Sequence, residues 1–334
     1  MSHMAREAAE APEAVARFLQ HNSGVLREIG AGLRRQSPPV IITSARGSSD
    51  SAAGYFKYLT EILTGVPCSS MGASVVSVYG AKLQLKNGLC VTVSQSGKSP
   101  DIVALQDAAR KAGALTVALV NVEDSPVAHA ADICLALHAG PELSVAATKS
   151  FIVSLVGGAA IVAHWLDRKD LLAALDALPD QLAKAARIDW PEAVALAKDA
   201  ESLYVLARGP SLPIATETAL KLKETCAIHA EDYSIAEVMH GPLELLGEGF
   251  PVLAYSPEDS ARKSSRESLG KTRQTGAHVL VAEEGGLPYV RTGNSLLDPI
   301  SIIQTAYRFI EATAVARGRD PDRPRLLKKV TETV

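Results

Sequence analysis

The tripeptide Ala45-Arg46-Gly47, which follows the apolar run Val40-Ile41-Ile42, returns as Ala207-Arg208-Gly209 after Leu203-Tyr204-Val205-Leu206. In both places a serine stands two residues beyond the glycine, at Ser49 and Ser211, and a helical pattern takes over. A short apolar strand that runs through a glycine into a helix opens a βα unit, so the echo predicts two halves of like construction. A second pair agrees. Val91-Thr92-Val93-Ser94-Gln95-Ser96-Gly97-Lys98-Ser99-Pro100-Asp101 and Pro251-Val252-Leu253-Ala254-Tyr255-Ser256-Pro257-Glu258-Asp259-Ser260 lie at corresponding places in the two halves. Such strand-helix alternation predicts an α/β fold, with a mostly parallel sheet in each half, helices on both faces, and ligands beyond the carboxyl ends of the strands.

Along the chain, residues 4–35 read as helical, with Val15, Phe18, Leu19, Val25, Leu26 and Ile29 on one face and Pro12 marking a helix start. Helices are expected over 52–63, 74–79 and 100–112, and strands over 89–93, 115–120 and 133–137. Ser144 is placed to cap an apolar helix over 145–166. Residues 171–200 are alanine-rich and helical, with breaks expected near Pro179 and Trp190-Pro191, and the domain boundary is placed there. A strand over 278–281 and a helix over 299–317 follow. The expected organisation is a helical arm (1–36), a first domain (37–187), a second domain (188–318) and a basic tail (319–334).

Composition narrows the class of function. With 334 residues, 47% hydrophobic and 21% charged, the chain can bury two real cores. A net charge of −3 supplies no electrostatic reason for nucleic acid or a membrane surface, so small-molecule partners are expected. Cys68, Cys90, Cys134 and Cys226 show no CxxC spacing and read as buried free thiols of a reducing compartment. The opening residues lack the regions of a signal peptide, and the expected location is the cytoplasm.

The stretch Ser94–Asp101 carries the first chemical signal. Ser99 is a good N-cap and Pro100 suits the first helical position, so backbone N–H groups from Gly97 to Ser99 and the positive end of the helix dipole face the turn. A phosphate fits such a place, and the hydroxyls of Ser94, Ser96 and Ser99 with the Gln95 amide add neutral donors. A nucleotide P-loop is excluded, because it requires glycine where Thr92 stands. An ordinary strand-turn-helix connection is the plain alternative. In the second half the equivalent turn has gained Glu258 and Asp259, which repel phosphate, so one anion site per chain is expected, in the first half.

The second half offers Lys221 and Glu224, three apart on one helix face. A carboxylate beside an ammonium can serve as a general base for moving a proton between adjacent carbons, and a surface ion pair is the alternative. His240, held before Gly241-Pro242, suits a proton shuttle. His229 with Glu231 and Asp232 lacks a further histidine or cysteine at ligand spacing, and no metal and no cofactor is expected. The tail Pro324–Thr331 reads as a docked end, as a lid, or as a source of an amine that adds to an open-chain carbonyl.

Ser-Gln-Ser-Gly-x-Ser after a strand, the repeated Gly-x-Ser turns, Leu222-Lys223-Glu224, His240-Gly241-Pro242-Leu243 and the terminal Lys329-Val330-Thr331 resemble the sugar isomerase (SIS) family, in particular the isomerase half of glucosamine-6-phosphate synthase and its stand-alone relatives of the deaminase type. The resemblance runs over nearly the whole chain and implies two tandem flavodoxin-like SIS domains. It implies that Ser94, Gln95, Ser96 and Ser99 hold the substrate phosphate with Ser48 and Ser49 beside them, and that Gly47, Gly97, Val145 and Ala146 line the pocket. Glu224 matches the base that moves a proton between C1 and C2, and Lys221 its neighbour. His240 matches the ring-opening residue, donated across a homodimer, and Lys329 the lysine that forms a Schiff base, with Lys328 as the alternative register. The synthase's glutaminase domain has no counterpart here, Ala147 replaces a serine, and Ser99-Pro100-Asp101 follows the stand-alone pattern. The resemblance therefore implies conversion of glucosamine 6-phosphate to fructose 6-phosphate with release of ammonia. Other phosphosugar isomerisation, an ammonia-dependent synthase, a fructosamine-6-phosphate deglycase, and a sugar-phosphate sensor are the alternatives.

Overall fold

The computed structural model describes residues 1–329, so Val330 and Thr331 of the terminal motif lie outside the described residues. In chain order the elements are α1 (His3–Ala9), α2 (Ala11–Arg35), β1 (Ile41–Ser44), α3 (Ser48–Thr64), β2 (Cys68–Ser70), α4 (Ser74–Ser77), β3 (Leu89–Ser94), α5 (Pro100–Lys111), β4 (Leu115–Val120), α6 (Pro126–Ala130), β5 (Ile133–Ala136), α7 (Lys149–Leu166) and α8 (Lys169–Ala185). They continue with α9 (Pro191–Ala197), β6 (Ser202–Ala207), α10 (Leu212–Lys221), β7 (His229–Ser234), β8 (Pro251–Tyr255), α11 (Arg262–Gln274), β9 (His278–Ala282) and α12 (Asp298–Ala316). Two compact units result. One comprises Glu13–Glu142 and Lys149–Asp176, with Lys328 and Lys329; the other comprises Met1–Pro12, Leu143–Thr148 and Ala177–Leu327.

The first unit holds a five-stranded sheet in the order β2-β1-β3-β4-β5, every pairing parallel. Val91, Val93, Val117, Leu119 and Leu135 are buried, as a sheet covered on both faces demands. From β1 the chain turns to β2 on one side and then crosses to β3 on the other. The switch point, where such sheets bind ligands, is therefore the gap between the ends of β1 and β3. α2 is tied to the end of β5, with Asn22 Nδ2 donating to the Ala136 carbonyl at 2.9 Å. α7 is long and apolar enough to cross a membrane by composition, but 89% of it is buried inside the protein, as befits a core helix.

The second unit repeats the plan with four parallel strands in the order β7-β6-β8-β9. Its N-terminal segment is bound to its last helix, since Gln304 Nε2 donates to the Ala8 carbonyl at 2.8 Å and Ser2 Oγ to Glu311 at 2.8 Å. Three differences from the sequence reading stand out. β7 escapes the apolar-run criterion because His229-Ala230-Glu231-Asp232-Tyr233-Ser234 is a polar edge strand. α8 runs straight through Pro179, because Leu171, Leu175, Leu178 and Leu182 keep one buried face in register across it. α7 begins at Lys149 rather than at 145; the segment before it is held otherwise, the amides of Leu143 and Ser144 being donated to the buried Glu7 carboxylate.

Cys68, Cys90 and Cys226 are buried free thiols, and Cys134 is a half-buried one. Burial pushes the thiols of Cys68 and Cys90 up to about 12 and that of Cys226 to about 11, which leaves them un-ionised and inert near neutrality.

Candidate active site

In the first unit the two hydroxyl-rich turns lie side by side, because β1 and β3 pair in parallel with Ser44 opposite Thr92. The turn after β3 is built on Gly97, whose φ of 64° is left-handed and whose missing side chain leaves room for the Ser125 hydroxyl. Here the amides differ from expectation. The Gly97 N–H is donated to Ser94 Oγ at 2.9 Å and the Lys98 N–H to Ser96 Oγ at 3.4 Å. Each hydroxyl thus accepts from the backbone and keeps its own proton to give, so the donors facing a ligand are O–H groups. Ser99 occupies the N-cap of α5 with extended backbone but makes no capping hydrogen bond with its side chain, which leaves its hydroxyl available too. Gly97→Ala is expected to cost about 1–2 kcal/mol from backbone strain alone, with the Ser125 clash in addition. Thermal melting and titration with inorganic phosphate will check it, and unchanged values for both would contradict this account of the turn.

The neighbouring turn supplies Gly47, at φ 55°, and Ser48 and Ser49 in the first turn of α3. Arg46 bridges the two turns: its Nε donates to Asp101 Oδ2 at 2.8 Å, and its Nη2 makes a second contact with the same oxygen. Asp101 is buried in the first turn of α5, so this pair fixes one turn against the other.

In the second unit, α10 passes into a π-helical turn over Leu222–Cys226 that ends at Ala227, with φ 49°. This widening is a common device at functional sites, and here it carries Glu224. The Lys221 ammonium is buried and donates to Glu224 Oε2 at 2.6 Å, with Glu217 Oε1 at 3.5 Å on its other side. Tyr307 on α12 donates its hydroxyl to Glu217 at 3.1 Å. The side chains of Glu217 and Lys221 are 0% and 1% exposed, whereas that of Glu224 is 22% exposed. Only the last carboxylate of the row meets solvent. It lines a cavity of about 570 Å³ together with Leu220, Lys223, Ala227, Arg319 and Leu327. A carboxylate oriented by a buried ammonium at a cavity wall is suited to accepting and returning a proton.

Glu217 and Tyr307 were missed by the motif reading. The signal for Glu217 was present, since Glu217, Lys221 and Glu224 follow one another by four and three residues on one helical face. Tyr307 has no local signal, because only the fold brings α12 to α10.

The remaining candidates are placed as follows. His240 ends a 3-10 turn, Glu237–His240, and is exposed; among the described residues no hydrogen bond or ion pair joins it to Lys221 or Glu224. Val145 and Ala146 belong to the segment Leu143–Thr148, grouped with the second unit. Lys329 donates to Glu142 at 3.2 Å in the first unit. Glu231 and Asp232, adjacent on β7, face opposite ways: Glu231 lies 3.5 Å from His229, while Asp232 accepts from the Thr216 hydroxyl at 2.6 Å. The acids of the turn after β8 are engaged locally, Glu258 with Arg262 and Asp259 with the Ala261 amide at 2.8 Å. Burial holds the Asp259 carboxyl above its ordinary range.

Comparison with known proteins bears on the family and the fold. The SIS domain family matches residues 35–163 and 196–282. The glutamine–fructose-6-phosphate aminotransferase (isomerizing) of Symbiobacterium thermophilum is 33% identical over 85% of this chain and 50% of its own length. The enzyme of the same name from Escherichia coli O157:H7 is 30% identical over 98% of this chain and 58% of its own. The chain thus spans about half the length of these relatives. Among solved structures, a candidate phosphosugar isomerase from Silicibacter pomeroyi DSS-3 superposes with a TM-score of 0.92 at 46% identity, covering 96% of this chain and all of the other. A glucosamine-6-phosphate deaminase from Thermotoga maritima shares the fold at 20% identity, with a TM-score of 0.81 over 99% of this chain and 100% of its own.

Proposed function

The chain belongs to the SIS-domain family, and from that membership we propose that it is a phosphosugar isomerase acting on an amino sugar, which converts glucosamine 6-phosphate and water into fructose 6-phosphate and ammonia. The observation that carries the reading is Glu224, a carboxylate set against the buried Lys221 ammonium at the wall of a cavity. In this scheme the hydroxyls of Ser94, Ser96 and Ser99, with Gln95, Ser48 and Ser49, hold the phosphate as neutral donors. Exposed His240 opens the sugar ring from the partner protomer of a homodimer. Glu224 removes the proton from C2 and returns it to C1, so that the C2 amine becomes an imine. The Lys329 amine then adds its lone pair to C2, ammonia leaves with the electrons of the old bond, and water releases the ketose and restores the lysine. The deaminase direction is supported by Ser99-Pro100-Asp101, which resembles the ending of the stand-alone family members.

The test is direct. Purified protein incubated with glucosamine 6-phosphate is expected to release ammonia and fructose 6-phosphate in equal amounts without glutamine or added metal. Aldose–ketose interconversion with no ammonia would assign a simple isomerase. Binding without any turnover would assign a sensor.

A further inference from the structure

We propose that Glu142 is a positioning residue that selects Lys329, rather than its neighbour Lys328, as the reactive amine of the tail. The inference rests on the reading of the tail lysine as the group that adds to the sugar. Glu142 lies between β5 and α7, and its side chain is 0% exposed. Its carboxylate accepts the Ser150 N–H at 3.2 Å and the Ser150 hydroxyl at 2.7 Å. Ser150 is the second residue of α7, so the carboxylate occupies the positive end of an 18-residue helix and serves as its N-terminal acceptor. The Ser150 amide and hydroxyl orient the carboxylate, and a buried carboxylate is held by ion pairs together with hydrogen bonds.

Lys329 makes such an ion pair, its Nζ standing 3.2 Å from Glu142 Oε2. The Lys329 side chain is 24% exposed, enough for a reactant to reach it. Lys328, one residue earlier, is exposed. The Glu142 ion pair therefore engages Lys329, while Lys328 is left in solvent. The structure thus decides a register that two adjacent lysines leave open. It also means that the amine is stationed on the body of the first unit at a defined point, with an ion pair that a carbonyl or imine substrate must displace.

The experiment has one arm that needs no substrate. A brief pulse of acetic anhydride on the folded protein, read by mass spectrometry, measures the acetylation of Lys329 against Lys328 as an internal reference. Glu142→Gln, which keeps the shape and a carbonyl oxygen for Ser150, is expected to raise the Lys329 to Lys328 ratio about fivefold. Glu142→Asp, one methylene too short, is expected to fall between the two. An unchanged ratio in a Glu142→Gln protein that melts like the wild type would overturn the docking. In the second arm, turnover of glucosamine 6-phosphate by Glu142→Gln is expected to fall about tenfold in kcat with little change in KM. A raised ratio with unchanged kcat would overturn the positioning role. If no phosphosugar is turned over by the wild type, the functional reading fails, and the labelling arm still decides whether Glu142 holds Lys329.

Discussion

Glu224→Gln is expected to retain sugar-phosphate binding and to lose turnover by about 10²–10⁴-fold, the span usually contributed by one positioned general base. The amide keeps the size and one carbonyl oxygen toward the Lys221 ammonium, which now stands 2.6 Å from the carboxylate. Binding should survive, because the phosphate donors are on a different turn and in a different sheet. The effect should therefore fall on kcat and leave KM nearly unchanged. The control is exchange of the C2 proton of glucosamine 6-phosphate with deuterium in the solvent, followed by NMR. If Glu224 is the base, wild-type protein exchanges this proton and the variant does not. Near-normal exchange in the variant would remove Glu224 from the role and return it to the status of a structural ion pair.

The second large effect is on stability. Lys221→Met replaces the buried ammonium with an apolar chain of similar length and leaves Glu217 facing Glu224 without the charge between them. Breaking a buried pair in this way costs about 3–5 kcal/mol, because a desolvated carboxylate loses its partner. Glu217 has Tyr307 as a hydrogen-bond donor, but that neutral group cannot replace a cation. Adding Glu217→Gln to Lys221→Met removes the stranded charge and should recover part of the loss, which makes the pair a coupled unit by double-mutant logic. Denaturant titration of the three variants will decide. A loss below 1 kcal/mol for Lys221→Met would show that the row of charges is not a stabilising network, although turnover would still be expected to fall.

Much of this was legible in residue patterns. The runs ending at Val93, Val120 and Ala207 are apolar because those strands are buried on both faces, and those at Val93 and Ala207 lead into turns marked by Gly97 and Gly209. What failed did so for identifiable reasons. β7 lies at a sheet edge and needs no apolar run, so His229 to Ser234 resembled a loop with acids rather than a strand. Pro179 was read as a break, a local rule overridden by the burial of Leu178 and Leu182 on either side. The segment before α7 is held by a distant residue, Glu7, that takes the amides of Leu143 and Ser144. At the site, spacing along one helix disclosed Lys221 and Glu224, but Tyr307 and Glu142 act through contacts between residues far apart in sequence, and these carry no periodic signature.

One feature of the second unit bears on how the molecule is made. The amides of His3 and Met4 are donated to Asp322, both at 2.7 Å, and Ala8 is held by Gln304 from α12. Segments 318 and 319 residues apart in sequence thus dock on each other. The sheet of the first unit can close while translation continues, and Glu7 of α1 can take the Leu143 and Ser144 amides, but the contacts of α1 with α12 and Asp322 form only after those residues emerge, on the order of ten seconds or more later at ordinary synthesis rates. During that interval Met4, Ala8 and Ala11, all buried in the finished protein, are open to wrong partners. For this chain, nascent-state protection by chaperones should matter most around Met4, Ala8 and Ala11.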